Sequence, residues 1–196
     1  MNRFRFHTLV LAALAIWPAV GSAQHAPVVD QAGSLDQSVS VQQIGTATAV
    51  DVAQQAPLAR AELGLAGERL AASLRQQGQA DAGFALLMEG SDGLVDAIQS
   101  GDAGGSNVAS VWQSGAGNSA LLDQYASAGM PNHVALIQDG TANIAFLTQS
   151  GEGNSLDLAQ RGADNFAAID QIGSGLGLSL SQLGGASVSI TQTGGR

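Results

Sequence analysis

The sequence predicts an all-β chain, a β-solenoid of stacked strand-turn-strand arches with about seven repeats of about 22 residues. Three observations carry the prediction. Glutamine recurs at Gln113, Gln124, Gln138, Gln149, Gln160, Gln171, Gln182 and Gln192, and most of the spacings equal eleven. Asparagine stands six residues before each of the first six, at Asn107, Asn118, Asn132, Asn143, Asn154 and Asn165, and glycine follows most of the glutamines at plus two. Between the two amides the residues alternate with period two, as in a strand that keeps one face in a core.

The first segment along the chain, 1–23, reads as a secretory signal. Arg3 and Arg5 supply a positive start, Leu9 to Val20 an apolar stretch, and Gly21-Ser22-Ala23 small residues for cleavage. An N-terminal segment follows at 24–36, where a fragment near 25–31 fits as an additional half-repeat. Residues 37–99 form degenerate repeats. In their register stand Gln43, Gln54, Gln76 and Gln99, but Leu65 and Met88 replace Gln, and Ala59, Leu70, Ala82 and Gly93 occupy the Asn place. Within this stretch Leu58 to Gln77 also admits a helix, because Leu63, Leu70 and Leu74 are near helical spacing, against which Gly64 and Gly67 count. The regular repeats fill 107–171, with extra residues at 100–106 and 125–131. A degenerate terminal repeat occupies 172–196, with Leu176 and Ala186 at the Asn place.

Each half-repeat is a seven-residue strand whose odd positions face inward. Positions three and five are apolar in every half, from Val39/Val41 and Phe84/Leu86 through Val134/Leu136 and Ala167/Ile169 to Val188/Ile190. Even positions mix Ser40, Arg60, Arg75 and several aspartates with apolar residues, as an outward surface does. Quartets such as Ser114-Gly115-Ala116-Gly117 reverse the chain, since glycine reaches positive φ without a Cβ clash. Hairpins would set Asn against Gln, whereas arches stack Asn on Asn and Gln on Gln. The arch is preferred because stacked amides hydrogen-bond along the axis and so satisfy groups that are costly to bury. All the amides from Asn107 to Gln192 named above are thereby candidate assembly residues.

Composition narrows the function. Hydrophobic residues make up 45% but aromatics only 4%, so the core is thin and layered rather than globular. There is no cysteine, which removes disulfides and thiolate metal sites. A net charge of −9, more negative without Arg3 and Arg5, makes nucleic acid and anionic lipid poor partners. Catalysis needs a cluster of carboxylates or a histidine on one face, and the aspartates are scattered while His133 sits at an outward position. Calcium-binding repeats need Asp at a fixed turn place, filled here by Ala116, Thr141, Glu152 and Ala163. No catalytic residue, cofactor or metal is therefore assigned. Trp112 and Phe146 read as outward apolar patches.

With Asn107 to Gln124, Asn132 to Gln149 and Asn154 to Gln171 each giving Asn, five residues, Gln, four residues, Asn, five residues, Gln, the chain resembles the curlin family. The resemblance implies a secreted, amyloid-like structural subunit of curli-type fibres at the cell surface, with roles in biofilm and adhesion. Its implied partners are copies of itself, a second curlin-type subunit, an outer-membrane secretion pore and periplasmic accessory proteins. Aliphatic and small outward residues make it look more like the minor, nucleating subunit than the major one, although the nucleator's basic final repeat is missing. A monomeric solenoid adhesin is the alternative. It would need a cap over its last rung, and the stretch after Gln192 offers none. Finally, Asp51, Asp96, Asp123, Asp157 and Asp170 at outward positions, with Asp139 near a turn, are candidate gatekeepers that delay polymerisation by like-charge repulsion.

Overall fold

A computed structural model describes residues 26–32, 36–46 and 48–194. The expected signal at 1–23 lies outside them. Fifteen strands follow one another, and no helix occurs among the described residues. The odd-numbered strands are β1 (Val28–Gln31), β3 (Ala49–Gln54), β5 (Ala71–Gln76), β7 (Leu94–Gly101), β9 (Ser119–Ala126), β11 (Ile144–Glu152), β13 (Phe166–Ser174) and β15 (Ser187–Gly194). They form an eight-stranded sheet in that order. The even-numbered strands are β2 (Ser38–Thr46), β4 (Ala59–Glu68), β6 (Asp81–Ser91), β8 (Ser106–Ala116), β10 (Asn132–Thr141), β12 (Ser155–Ala163) and β14 (Gly177–Leu183), and they form a seven-stranded sheet.

Every pairing is parallel and joins a strand to its equivalent one rung away. Asn132 lies opposite Asn107, and Gln138 lies between Gln113 and Gln160. This is the arch arrangement, since hairpins would have paired β2 with β3 antiparallel. Leu58 to Gln77 contributes β4 and β5, so its leucines are not a helical stripe: Leu63 and Leu74 fill equivalent core positions in facing strands. Of the half-repeat near 25–31, Val28–Gln31 forms β1, with Gln31 opposite Gln54, and residue 25 lies outside the described residues.

Positions three and five of the two sheets face each other and make one continuous core from Val39 to Ile169, with Leu178, Leu180 and Ile190 partly buried at its end. Volume is balanced rung by rung. Phe84, the one aromatic in the column, shares its rung with Ala97, where other rungs carry Val, Leu or Ile. The amide and outward positions follow from the same alternation: in β8 Asn107, Ala109, Val111 and Gln113 are buried, while Ser110 and Trp112 are exposed.

The arcs stack as tightly as the strands. Glycine two residues after the Gln position of β2, β4, β6, β8, β10 and β12, at 45, 67, 90, 115, 140 and 162, has φ between 92° and 151°. A Cβ on Gly140 would lie 2.0 Å from the carbonyl oxygen of Gly162 in the next rung. Two residues later the chain enters the ordinary left-handed well, which Arg69, Asp92, Ala142 and Asp164 all occupy with φ of 52–57°. Glycine is therefore obligatory at the first place because of the neighbouring rung, and optional at the second. Backbone bonds such as Ala142 N–H to Ala116 O carry the ladder around the arc.

Candidate assembly site

The eight-stranded sheet carries an unbroken ladder of eight glutamines. Gln31, Gln54, Gln76, Gln99, Gln124, Gln149 and Gln171 each donate from Nε2 to Oε1 of the next, ending on Gln192, at 2.7–2.9 Å. The second Nε2 hydrogen crosses the core. It reaches the carbonyl of Ser38 from Gln54, Gly83 from Gln99, Val108 from Gln124 and His133 from Gln149, tying one sheet to the other inside each rung. A carbonyl accepts only from N–H, so this contact decides which end of each amide from Gln54 to Gln192 is nitrogen. The ladder thus has a direction, with every donor pointing toward the later rung.

In the seven-stranded sheet the same direction holds over a shorter run. Gln113 donates to Gln138, Gln138 to Gln160 and Gln160 to Gln182, at 2.6–2.9 Å. Leu65 and Met88, both fully buried, stand where two more amides would complete it back to Gln43. The consequence is local. Gln43 Nε2 has no acceptor and Gln113 Oε1 has no donor, and these are two of the three buried orphan side-chain atoms among the described residues. Each orphan is the atom that would have met the missing amide. Room for an asparagine is missing too: a Cβ on Gly93 would lie 2.7 Å from Met88 Cε and 3.1 Å from Leu70 Cδ2.

The asparagines run in the opposite sense. Asn118 Oδ1 accepts from the backbone N–H and Nδ2 of Asn143, and Asn143 Oδ1 accepts the same pair from Asn165. In the other column Asn132 Nδ2 reaches Asn107 Oδ1 at 3.4 Å, Asn154 N–H reaches Asn132 Oδ1, and Leu176 N–H reaches Asn154 Oδ1. The Nδ2 groups also clamp arcs, as Asn118 does on Ser114 and Gly140, Asn132 on Tyr125 and Gly151, and Asn165 on Arg161. Asparagine thus fastens turns while glutamine joins rungs and sheets.

All fourteen amides singled out in the sequence lie in these ladders, buried except for the half-buried Gln192. The site is longer than that set. Gln31, Gln54, Gln76 and Gln99 belong to it equally, and their spacing was the available signal. Asp51, Asp123, Asp139 and Asp157 are exposed, and Asp96 and Asp170 are half-buried. None is stacked on another acid. Asp51 lies beside Val28 and Ser73, Asp96 beside Ser73 and Leu121, and Asp123 beside Ile98 and Thr148; partial burial raises the Asp123 carboxyl. Asp157 lies beside Ala135 and Ser179, Asp170 beside Thr148 and Thr191, and Asp139 beside Ser114 and Arg161.

Shallow grooves over the outer face of β2, β4, β6 and β8 are lined by residues that include Gly64, Gly83, Ala85 and Trp112. They bring together no pair of carboxylates in acid–base geometry. Within the described residues no three His, Asp or Glu side chains converge as metal ligands.

Residues 151–184 match the family model of the curlin associated repeat, which supports the curlin family. The matched segment contains Asn154, Gln160, Asn165, Gln171 and Gln182, members of both amide ladders. No curated protein and no solved structure matches the chain.

Proposed function

We propose that this chain, which carries the curlin associated repeat, is a secreted subunit of extracellular curli-type amyloid fibres that grow by templated strand stacking. Curlins are structural fibre subunits, and the fold supports that role here. One observation carries the reading. At each end of the solenoid the outermost strands, β1 and β2 at one end and β14 and β15 at the other, pair on one side only among the described residues. These edges have the same inward pattern as the interior rungs, so an identical rung is the surface that fits them. Burial of core side chains and closure of ladder bonds would then drive growth, and the reactive group is a strand edge. In the cell the fibre would serve biofilm matrix and surface adhesion, with the secretion pore and periplasmic accessory proteins handling the unfolded chain.

Outward aliphatic residues such as Leu87, Leu94 and Leu121 favour the nucleating role over that of the fibre body. A thioflavin assay tests both parts. The purified chain is expected to assemble after a lag, and its preformed assemblies to shorten the lag of a second curlin-type subunit. Gln138→Ala with Asn143→Ala is expected to lengthen the lag far more than His133→Ala, because only the former pair cuts ladders. A chain that stays monomeric at every concentration would leave the adhesin reading in its place.

A further inference from the structure

We infer that the outer face of the eight-stranded sheet is a lateral docking surface for a second copy of the chain, the two solenoids lying face to face with their axes parallel. The inference rests on the fibre reading above and concerns the side of the fibre, a contact separate from the strand edges by which it grows.

The face is apolar only in its middle. In the parallel registers the second position of each half-repeat forms one outward column and the fourth position the next. On β7 to β13 these two columns hold Leu94, Leu121, Ile144, Phe146, Phe166 and Ala168, and Leu94, Leu121 and Phe146 are 43–46% exposed. The rings of Phe146 and Phe166 meet edge to face at 5.8 Å, which joins neighbouring rungs into one patch. Polar residues frame it, with Ser73 and Arg75 on β5 and Ser187, Ser189 and Thr191 on β15. A contiguous apolar patch inside a polar rim is the form of a contact surface.

Shape fits a second copy. A two-fold axis parallel to the solenoid, set between the two columns, lays the second-position column of each copy on the fourth-position column of the other. Ser119 then faces Leu121 of the second copy, Phe166 faces Ala168, and Ile144 faces Phe146, so a small side chain meets a large one on β9 and on β13. Asp51 faces Ala49, and Asp96 faces Leu94 at the edge of the patch. No acid faces an acid in these columns, and Asp123 and Asp170 stay outside them in the sixth-position column.

Charge chooses between this and the antiparallel alternative. Turning the second copy end for end about β11 also matches volumes, with Ser119 on Phe166 and Leu121 on Ala168. It keeps each column on its own kind, however, and so sets Asp123 on Asp170 twice, two uncompensated carboxylate pairs at the border of a dehydrated contact. Parallel pairing sets no such pair in its facing columns. Area then decides which species pairs. Six partly exposed side chains offer roughly 300–600 Å² per copy, short of the roughly 800 Å² of a standard interface, so free chains are expected to remain single. A fibre repeats the patch in every subunit, and the contact grows with its length.

Mass per length of isolated fibres, measured by scanning transmission electron microscopy, reads the pairing. Parent fibres are expected to carry twice the mass per length of fibres from Leu121→Thr with Phe146→Thr, which leaves every amide ladder in place and is expected to leave seeded elongation unchanged. Leu87→Thr with Trp112→Thr removes apolar surface from the other sheet and is expected to keep the doubled value. For the orientation, the absence of cysteine allows chains with one Cys each to be mixed, assembled and treated with a thiol cross-linker of about 10 Å, the spacing of packed sheets. Equivalent sites within one fibre are seven rungs apart, about 34 Å, beyond its reach. Ser119→Cys mixed with Leu121→Cys is expected to give dimers with one chain of each, and Leu121→Cys mixed with Ala168→Cys to give none. Dimers from the second mixture alone would overturn the parallel orientation. Equal mass per length for the parent and for Leu121→Thr with Phe146→Thr would overturn the pairing and leave the face to a partner of another kind, and a halved value for Leu87→Thr with Trp112→Thr would overturn the choice of face. Absence of fibres from the parent chain would remove the fibre reading along with the pairing.

Discussion

Met88 and Leu65 put two apolar side chains into a column of amides, and the damage appears one rung away on each side, at Gln113 Oε1 and Gln43 Nε2. A buried polar atom without a partner costs roughly 1–3 kcal/mol, and burying a Leu or Met side chain returns a similar amount. Met88→Gln alone supplies a donor to Gln113 but leaves its own Oε1 facing Leu65, so the orphan moves without being removed. Leu65→Gln with Met88→Gln links Gln43 to Gln113 in one run. The double variant is therefore expected to lose less stability than the sum of the singles, by about 1–3 kcal/mol, measured as denaturant midpoints. Strict additivity would mean that the four positions do not form one ladder. Asp123 gives a prediction about pH. Burial raises its carboxyl above the ordinary value, so the fold tolerates the charged form less well than the unfolded chain does. Stability is then fullest with the carboxyl protonated and declines as pH rises through its folded pKa. Asp123→Asn is expected to raise the midpoint at neutral pH and to have no effect well below the ordinary carboxylate value of about 4, where both states are neutral. A gain that persists in acid would trace to something other than the charge. Much of this site was legible in the sequence, because glutamines eleven apart with apolar residues between them leave few ways to face one another. The direction of the amides was not, since it depends on the carbonyl of Val108 or His133 across the core.

Strands and arcs were legible to different degrees. Period-two alternation places every strand, and it outweighs the helical spacing of Leu63, Leu70 and Leu74 because Ala59, Ala61, Leu63 and Leu65 are buried while Arg60 and Glu62 are exposed. For the arcs, sequence reasoning gives glycine the task of positive φ, and that explains Gly175, whose Cβ would meet nothing within 4 Å. It does not explain Gly140. There the next rung's carbonyl occupies the place of a side chain, a contact between residues 22 apart that no local pattern contains. The two substitutions are expected to separate accordingly. Gly175→Ala should cost about 1–2 kcal/mol, the penalty of the left-handed well. Gly140→Ala should cost roughly 3 kcal/mol, because rungs must part to admit the methyl. Similar losses in the two denaturant midpoints would show that the turn conformation alone demands glycine.

At the scale of the whole molecule, an excess of acids on a chain proposed to stack with itself needs a spatial answer, and the ladder registers supply one. Asp51 and Asp96 share a column with Ser73 between them, as Asp123 and Asp170 do with Thr148 between. Two rungs are about 10 Å, beyond the screening length of about 8 Å at physiological salt, so repulsion along a correctly stacked column is weak. One rung is about 5 Å, and a wrong joint that sets an aspartate on its own copy lies well inside that length. The proposed gatekeepers would then act less on growth in the right register than on the many pairings open to an unfolded chain. A fair control must leave the columns untouched. Glu62 does not qualify, because it stacks between Ser40 and Ala85 like the aspartates. Glu68, Asp81 and Glu152 at strand ends, with Asp102 and Asp164 between strands, lie outside the seven-residue columns that run from one inward amide position to the next and do qualify as the arc set. Changing Asp51, Asp96, Asp123, Asp157 and Asp170 to Asn is expected to shorten the unseeded lag more than neutralising the five arc acids, at equal net charge. It is also expected to admit wrong joints: Ser73→Cys should cross-link between chains in fibres of the neutralised columns and not in fibres of the parent. Equal lags and equal cross-linking for the two sets would reduce the aspartates to general repulsion, indifferent to where on the solenoid the charge is placed.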